Sequence, residues 1–181
     1  GDVYKRQGIQ VVMMTGDGAQ TAAAVAGKCG ILTEGGVCIS GDVLRAMSDG
    51  EVTELIPRLN VVSRALPSDK LRLVELAKSA GLVAGMTGDG VNDAPSLCAA
   101  DVGFAMGSGS EVASAASDIV ILDSSLRSIV NAVLFGRTIF KSIRKFITFQ
   151  LIMNLCATAV SFIGPFIGID APVTVVQMLW I

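Results

Sequence analysis

The chain has 181 residues, 51% of them apolar and 17% charged, with a mean hydropathy of +0.63, which excludes a disordered chain and is high for a fully soluble one. The formal charge of −2 hides a division: residues 1–123 carry 9 Lys/Arg against 15 Asp/Glu, whereas residues 124–145 carry five cations and no acid. An acidic body of this kind speaks against nucleic acid as a partner.

The opening stretch, residues 1–7, has neither strand nor helix character and no starting Met, and is read as a non-native scar. From Gly8 the chain alternates apolar runs with helical stretches. Ile9 to Met14 reads as a strand ending at Thr15-Gly16-Asp17-Gly18, and Ala19 to Cys29 as an Ala-rich helix stopped by Gly30. Residues 33–58 are polar and Gly-containing, with a short strand at Val37–Ile39 and a helix at Asp42–Met47. Asn60 to Ser63 is a third strand. Pro67-Ser68-Asp69-Lys70 opens a helix to Ser79, with Leu71, Val74, Leu76 and Ala77 facing inward. Leu82 to Met86 is a strand entering Thr87-Gly88-Asp89-Gly90, and a helix runs from about Asn92 to Ala99. Two more strands, Asp101–Ala105 and Asp118–Leu122, flank a small helix at Glu111–Ala116. Continuous apolar strands separated by helices predict an α/β domain over residues 8–123, a doubly wound parallel sheet covered on both faces.

Beyond Ser125 there is no Pro before Pro165, so one long helix is expected to leave the domain and enter a membrane. Residues 124–145 form its basic stalk. From 146 to 169 the chain has no charge for 24 residues, roughly 36 Å of helix, enough for a hydrocarbon layer of ~30 Å. Arg127, Arg137, Lys141, Arg144 and Lys145 lie before this span, so residues 8–145 are expected on the cytoplasmic side of a lipid bilayer. Residues 172–181 read as the start of a second membrane helix, making the protein multi-pass.

There is no histidine, which excludes a Ser-His-Asp triad and a His-ligated zinc. The four cysteines (Cys29, Cys38, Cys98, Cys156) form no CxxC pair and read as reduced, buried cysteines of an intracellular protein. The clearest internal signal is a repeat. Met-Thr-Gly-Asp-Gly occurs at residues 14–18 and again at 86–90, each time after a strand and before a helix. At the carboxyl ends of parallel strands, two such loops would offer hydroxyls, carboxylates and backbone N–H groups to one crevice. Glycine lets the backbone approach a phosphate, and the following helix N-terminus favours an anion. A carboxylate there needs a cation between itself and phosphate, so Asp89 and Asp93 are candidate Mg²⁺ ligands. Lys70, placed where the helix dipole disfavours a cation, is a candidate to neutralise a transferring phosphoryl group.

The run Met86-Thr-Gly-Asp-Gly-Val-Asn-Asp-Ala-Pro95 resembles the hinge signature of P-type cation-transporting ATPases, in the haloacid-dehalogenase-like superfamily. Thr15-Gly16-Asp17, Pro67-Ser68-Asp69-Lys70 and Gly103-Phe-Ala-Met-Gly107 resemble that family's other phosphorylation-domain blocks, in the same order. Lys28-Cys-Gly-Ile-Leu32, Asp101-Val-Gly-Phe104 and Val176-Gln-Met-Leu-Trp180 are similar to the plasma-membrane type of calcium pump. The resemblance implies that Thr15, Gly16 and Asp17 serve the phosphoryl and nucleotide site. It also implies that Lys70 stabilises an aspartyl phosphate, that Asp89 binds Mg²⁺ with Asn92 and Asp93 completing the site, and that Arg64 contacts ATP. The family's phosphorylated Asp-Lys-Thr-Gly-Thr block is absent from this sequence. The chain is therefore expected to be a partial phosphorylation domain plus membrane helix five and the start of six, inactive without the remainder of the pump. A membrane-tethered phosphohydrolase with no transport role, a pump for another cation, and a non-catalytic remnant are the alternatives.

Asn154 is the strongly polar amide well inside the apolar span, where an unpaired amide is costly. Residue by residue it reads as an interhelical hydrogen bond or a cation ligand, and the resemblance makes it a ligand of the transported cation. One turn on, where calcium pumps of the reticulum type place a glutamate, this chain has Ala157. Without that carboxylate a second Ca²⁺ lacks a hard oxygen ligand. A pump of one Ca²⁺ is the expectation.

Overall fold

A computed structural model of the chain describes residues 7–123 and 125–168. The residues read as a scar, apart from Gln7, and the start of a second membrane helix lie outside the described residues. The chain divides into two units, residues 1–130 and 131–181.

The first unit contains six strands: β1 (Met13–Met14), β2 (Val37–Ser40), β3 (Leu59–Ser63), β4 (Gly85–Gly88), β5 (Val102–Met106) and β6 (Ile119–Ile121). Between them lie helices α1 (Ala19–Lys28), α2 (Gly41–Ala46), α3 (Asp49–Leu55), α4 (Pro67–Ser79), α5 (Ala94–Ala99) and α6 (Glu111–Ala115). The strands do not form one ladder. They hydrogen-bond as two parallel three-stranded sheets, ordered β1-β3-β2 and β4-β5-β6. The strands that end at the two Thr-Gly-Asp-Gly loops, β1 and β4, each stand at a sheet edge.

Each sheet packs apolar residues on both faces, fully at the central strands, while β4 and most of β6 stay partly exposed. Successive residues of a strand point to opposite sides. Accordingly, Val61 packs on Ala22 and Ala26 of α1, and Val62 joins Leu44, Val52 and Leu73 of α2, α3 and α4. All five residues of β3 are buried. In the second sheet Ala105 meets Leu97 and Ala113, and Phe104 meets Ile121 and Ile129. This is the doubly wound arrangement.

Several local expectations shift. The strand expected over residues 9–14 pairs only at Met13 and Met14, because the Gln10 side chain donates to the Ile56 and Leu59 carbonyls at 2.6 and 2.9 Å. The strand expected at Leu82–Met86 begins three residues later, since Leu82 N–H still bonds Ala77 O and Val83 is 84% exposed. Helix α3 was not expected; a capping box at Ser48 and Glu51 starts it, reciprocal bonds satisfying two end groups. On α4 the buried side is Asp69, Leu73 and Val74, with Leu71, Leu76 and Ala77 only partly covered. Among the described residues no disulfide links the four cysteines, and all four are exposed, not buried as expected. Cys98, for example, faces outward on α5, its thiol reaching the Ala116 carbonyl at 3.5 Å.

Helix α7 (Leu126–Ile163) runs 38 residues and continues as a 3₁₀ turn at Gly164–Ile167. Among the described residues it is the one helix long and apolar enough to cross a membrane. Its unbroken course follows from the absence of proline before Pro165.

Candidate active site

The first Thr-Gly-Asp-Gly loop extends the β1–β3 ladder. Thr15 N–H donates to Val62 O at 3.0 Å, and the loop in turn accepts two amides from the end of β3. Arg64 N–H reaches Asp17 O at 3.0 Å and Ala65 N–H reaches Thr15 O at 2.9 Å. Arg64 makes this bend at φ +51°, the one positive φ outside glycine among the described residues, a conformation that costs an L residue energy and clusters at functional sites. Within the loop the Thr15 hydroxyl donates to the Asp17 carboxylate at 3.0 Å and accepts from Asp17 N–H at 3.1 Å. A phosphoryl oxygen approaching Thr15 would have to redirect that hydroxyl proton.

The second loop ends β4 and passes into a 3₁₀ turn at Val91–Asp93. Asp93 is buried, and its carboxylate accepts from Lys70 Nζ at 2.7 Å and from Gly90 N–H at 3.4 Å. Asp89 is exposed, and its carbonyl is held by Ser110 N–H at 2.8 Å from the loop after β5. Gly109 makes that approach possible, since a Cβ there would stand 2.8 Å from Asp89 O. Gly16 and Asn92 are exposed on the two loops.

The structure thus links most of the residues that the sequence singled out. The link runs from Thr15 and Asp17 through the amides of Arg64 and Ala65, along the start of α4 to Lys70, and across to Asp93. Lys70 and Asp93 join the two sheets. Asn154 lies on α7 in the other unit, where its side-chain oxygen accepts from Gln150 at 3.4 Å and its carbonyl from the Thr158 hydroxyl at 2.9 Å.

Three residues at this site were not anticipated. Asp69 is 2% exposed and accepts from Leu66 N–H at 2.8 Å and from the Arg45 guanidinium. Gly41 leaves room for them, because a Cβ there would lie 2.5 Å from Arg64 O and 2.9 Å from the Asp69 carboxylate. An acidic residue at the third position of a Pro-initiated helix is a legible capping signal. Its partner across 24 residues is not.

Residues 3–101, more than half of the chain, match the haloacid dehalogenase-like hydrolases, and the chain belongs to that family. Among curated proteins it is similar to calcium-transporting ATPases. It is 51% identical over 164 residues to "Calcium-transporting ATPase PAT1" of Dictyostelium discoideum, and 46% identical over 176 residues to "Probable calcium-transporting ATPase 6, plasma membrane-type" of Oryza sativa subsp. japonica. These matches cover 90% and 96% of this chain but 15% and 17% of the relatives, so the chain spans about a sixth of their length. A zinc-transporting PIB-type ATPase solved in the E2.Pi state has a TM-score of 0.66, with 28% identity over 92% of this chain and 22% of that one. The resemblance to P-type calcium pumps drawn from the motifs is borne out.

Proposed function

We propose that the chain is a segment of an ATP-driven pump that moves Ca²⁺ through an aspartyl-phosphate intermediate. The observation that carries this reading is the 2.7 Å bond from Lys70 to Asp93, which ties α4, whose start follows the segment bonded to the first glycine-aspartate loop, to the turn after the second. The likeness to calcium-transporting ATPases supports the choice of ion and the use of ATP. The edge positions of β1 and β4 support it further. A parallel strand between them would complete one sheet and end beside both loops, where a phosphorylated aspartate supplied by the rest of the pump would lie.

In this reading the γ-phosphoryl group passes from ATP to that aspartate and ADP leaves. Lys70 sets a positive charge beside the three phosphoryl oxygens, where charge is spread in the transition state. Thr15 and Gly16 hold those oxygens by a hydroxyl and a backbone N–H, and Asp17 orients the Thr15 hydroxyl. Arg64, exposed after β3, and Asn92, exposed in the turn after β4, contact the nucleotide and phosphoryl ends. Asp89 and Asp93 would hold Mg²⁺. The donor set fits that ion: Mg²⁺ takes one or two carboxylates and completes its shell with water and phosphate. Among the described residues no group of three or more Cys, Asp or Glu side chains is placed to cage a metal. When bound, the ion would screen the carboxylates from the phosphate and neutralise developing charge.

The basic stalk, residues 124–145, and the apolar segment, residues 146–169, support a membrane protein with residues 8–145 in the cytoplasm, and the apolar sequence of residues 172–181 supports a second pass. Asn154 would be one ligand of the transported cation, and Ala157 favours a single Ca²⁺. The test is phosphorylation of the full-length pump by ATP. Ca²⁺-dependent, hydroxylamine-sensitive phosphoenzyme that is lost in Asp89→Asn at ordinary Mg²⁺ is expected. A wild-type protein forming no phosphoenzyme would refute the reading, and phosphorylation indifferent to Ca²⁺ would refute the choice of ion.

A further inference from the structure

We propose that Asp69 is a positioning residue for Lys70, fixing the first turn of α4 through Arg45 so that the lysine ammonium stands at the phosphoryl site. The inference rests on the role given to Lys70 in the proposed function.

A lysine is a point charge on a flexible four-carbon stem, so its reach is defined only if its backbone is fixed. Lys70 also sits in the first turn of a helix, where the dipole repels it. Something must hold that turn. Asp69, one residue earlier, points into the protein, with 2% of it exposed. Its carboxylate closes the turn by accepting Leu66 N–H at 2.8 Å and also binds the Arg45 guanidinium of α2. Arg45 is itself oriented by Asp42 on the same helix.

A helix cap alone would need only the bond to Leu66, which a neutral Asn or Ser provides as well. A buried carboxylate paired to another helix goes beyond capping. The surroundings are fitted to it: a Cβ at residue 41 would crowd the Asp69 carboxylate, the Arg45 guanidinium and Arg64 O together. Gly41 thus lies beside the strained Arg64 backbone, and the Asp69 carboxylate anchors the turn of α4 that immediately precedes Lys70. Lys70 then spans to Asp93.

The test uses the full-length pump containing this segment, with phosphoenzyme formation from ATP as the readout. Asp69→Asn keeps an acceptor for Leu66 and removes the charge. It is expected to slow phosphoenzyme formation about tenfold while the KM for ATP stays within about twofold, the pattern of a lost transition-state contact. In a Lys70→Arg background the same change is expected to cost less than about twofold, because the group being positioned is already altered. Arg45→Gln should reproduce the slow phenotype, and Arg45→Lys should recover part of the rate.

If Asp69→Asn does not accumulate as folded protein, Arg45→Gln, altering a side chain 35% exposed, carries the same comparison. Equal losses in the wild-type and Lys70→Arg backgrounds would overturn the proposal, as would an unchanged rate. A wild-type pump that forms no phosphoenzyme would instead overturn the proposed function.

Discussion

The two Thr-Gly-Asp-Gly loops are identical in sequence, and their first glycines offer a paired experiment. A Cβ built on Gly16 meets nothing within 4 Å. One built on Gly88 stands 2.5 Å from Asp93 Cβ and 2.9 Å from its Cγ and Oδ2. Carbon atoms pack at about 3.5–4.0 Å, so roughly 1 Å of displacement is needed at Asp93. Its Cβ is one bond from the backbone and cannot swing aside as the end of a long side chain would. Relief must therefore move the Val91–Asp93 turn, which Asp93 N–H closes on Gly90 O at 3.1 Å, and so stretch the 2.7 Å bond to Lys70. Overpacking of this kind costs about 1–3 kcal/mol. At a urea slope of about 1–3 kcal/mol per molar, Gly88→Ala should lower the unfolding midpoint by roughly 1 M. Gly16→Ala instead restricts only the unfolded chain and should raise stability by up to about 1 kcal/mol. The assay is urea unfolding of the purified chain in detergent, followed by circular dichroism. Equal midpoints for the two variants, or a Gly88→Ala midpoint at or above wild type, would refute the packing argument.

Ser48→Ala should cost about 1 kcal/mol in the same assay, because the hydroxyl accepts Glu51 N–H and donates to the Glu51 carboxylate at 2.7 Å; no loss would mean that α3 does not depend on its capping box. Hydrogen bonds from the Ser48 hydroxyl, Ala84 N–H and the Ser128 hydroxyl hold Glu51, Asp101 and Asp123 respectively below their ordinary carboxylate values. Depressed folded values contribute stability above the unfolded values near ~4, and that contribution is lost as pH falls through the folded ones. Asp101→Asn should therefore flatten the fall in unfolding midpoint between pH 6 and pH 2, and an unchanged slope would contradict the assignment. In the full-length pump, Asn154→Ala should weaken Ca²⁺-dependent phosphorylation by ATP and spare phosphorylation by inorganic phosphate; binding of two Ca²⁺ per phosphorylation site would refute the single-ion reading.

The domain's architecture was legible because apolar runs and helix starts are local properties. Pro67 set the first residue of α4, and Gly30, at φ +65°, follows α1 as expected. The partition of the strands was not legible. Parallel pairing joins strands distant in the chain, and nothing in β1 or β4 alone says whether a neighbour lies on one side or both. Strand ends were misplaced where a side chain took over a backbone role, as Gln10 does at the start of β3. The cysteines were misjudged because thiol burial depends on which face a position occupies, and composition carries no face.

The site divides along the same line. Thr15, Asp17, Lys70, Asp89 and Asp93 stand in short motifs whose chemistry can be argued residue by residue. Asp69 and Arg45 meet across two helices, 24 residues apart in sequence, and no local pattern announces the contact. The repeated loops show why motif and geometry must be read together. After Gly18 the chain enters α1 directly, leaving Gly16 open, whereas after Gly90 the Val-Asn-Asp turn folds Asp93 back over Gly88. Identical pentapeptides thus become a polar edge in one case and a closely packed anchor for Lys70 in the other. The residues that follow each loop decide which.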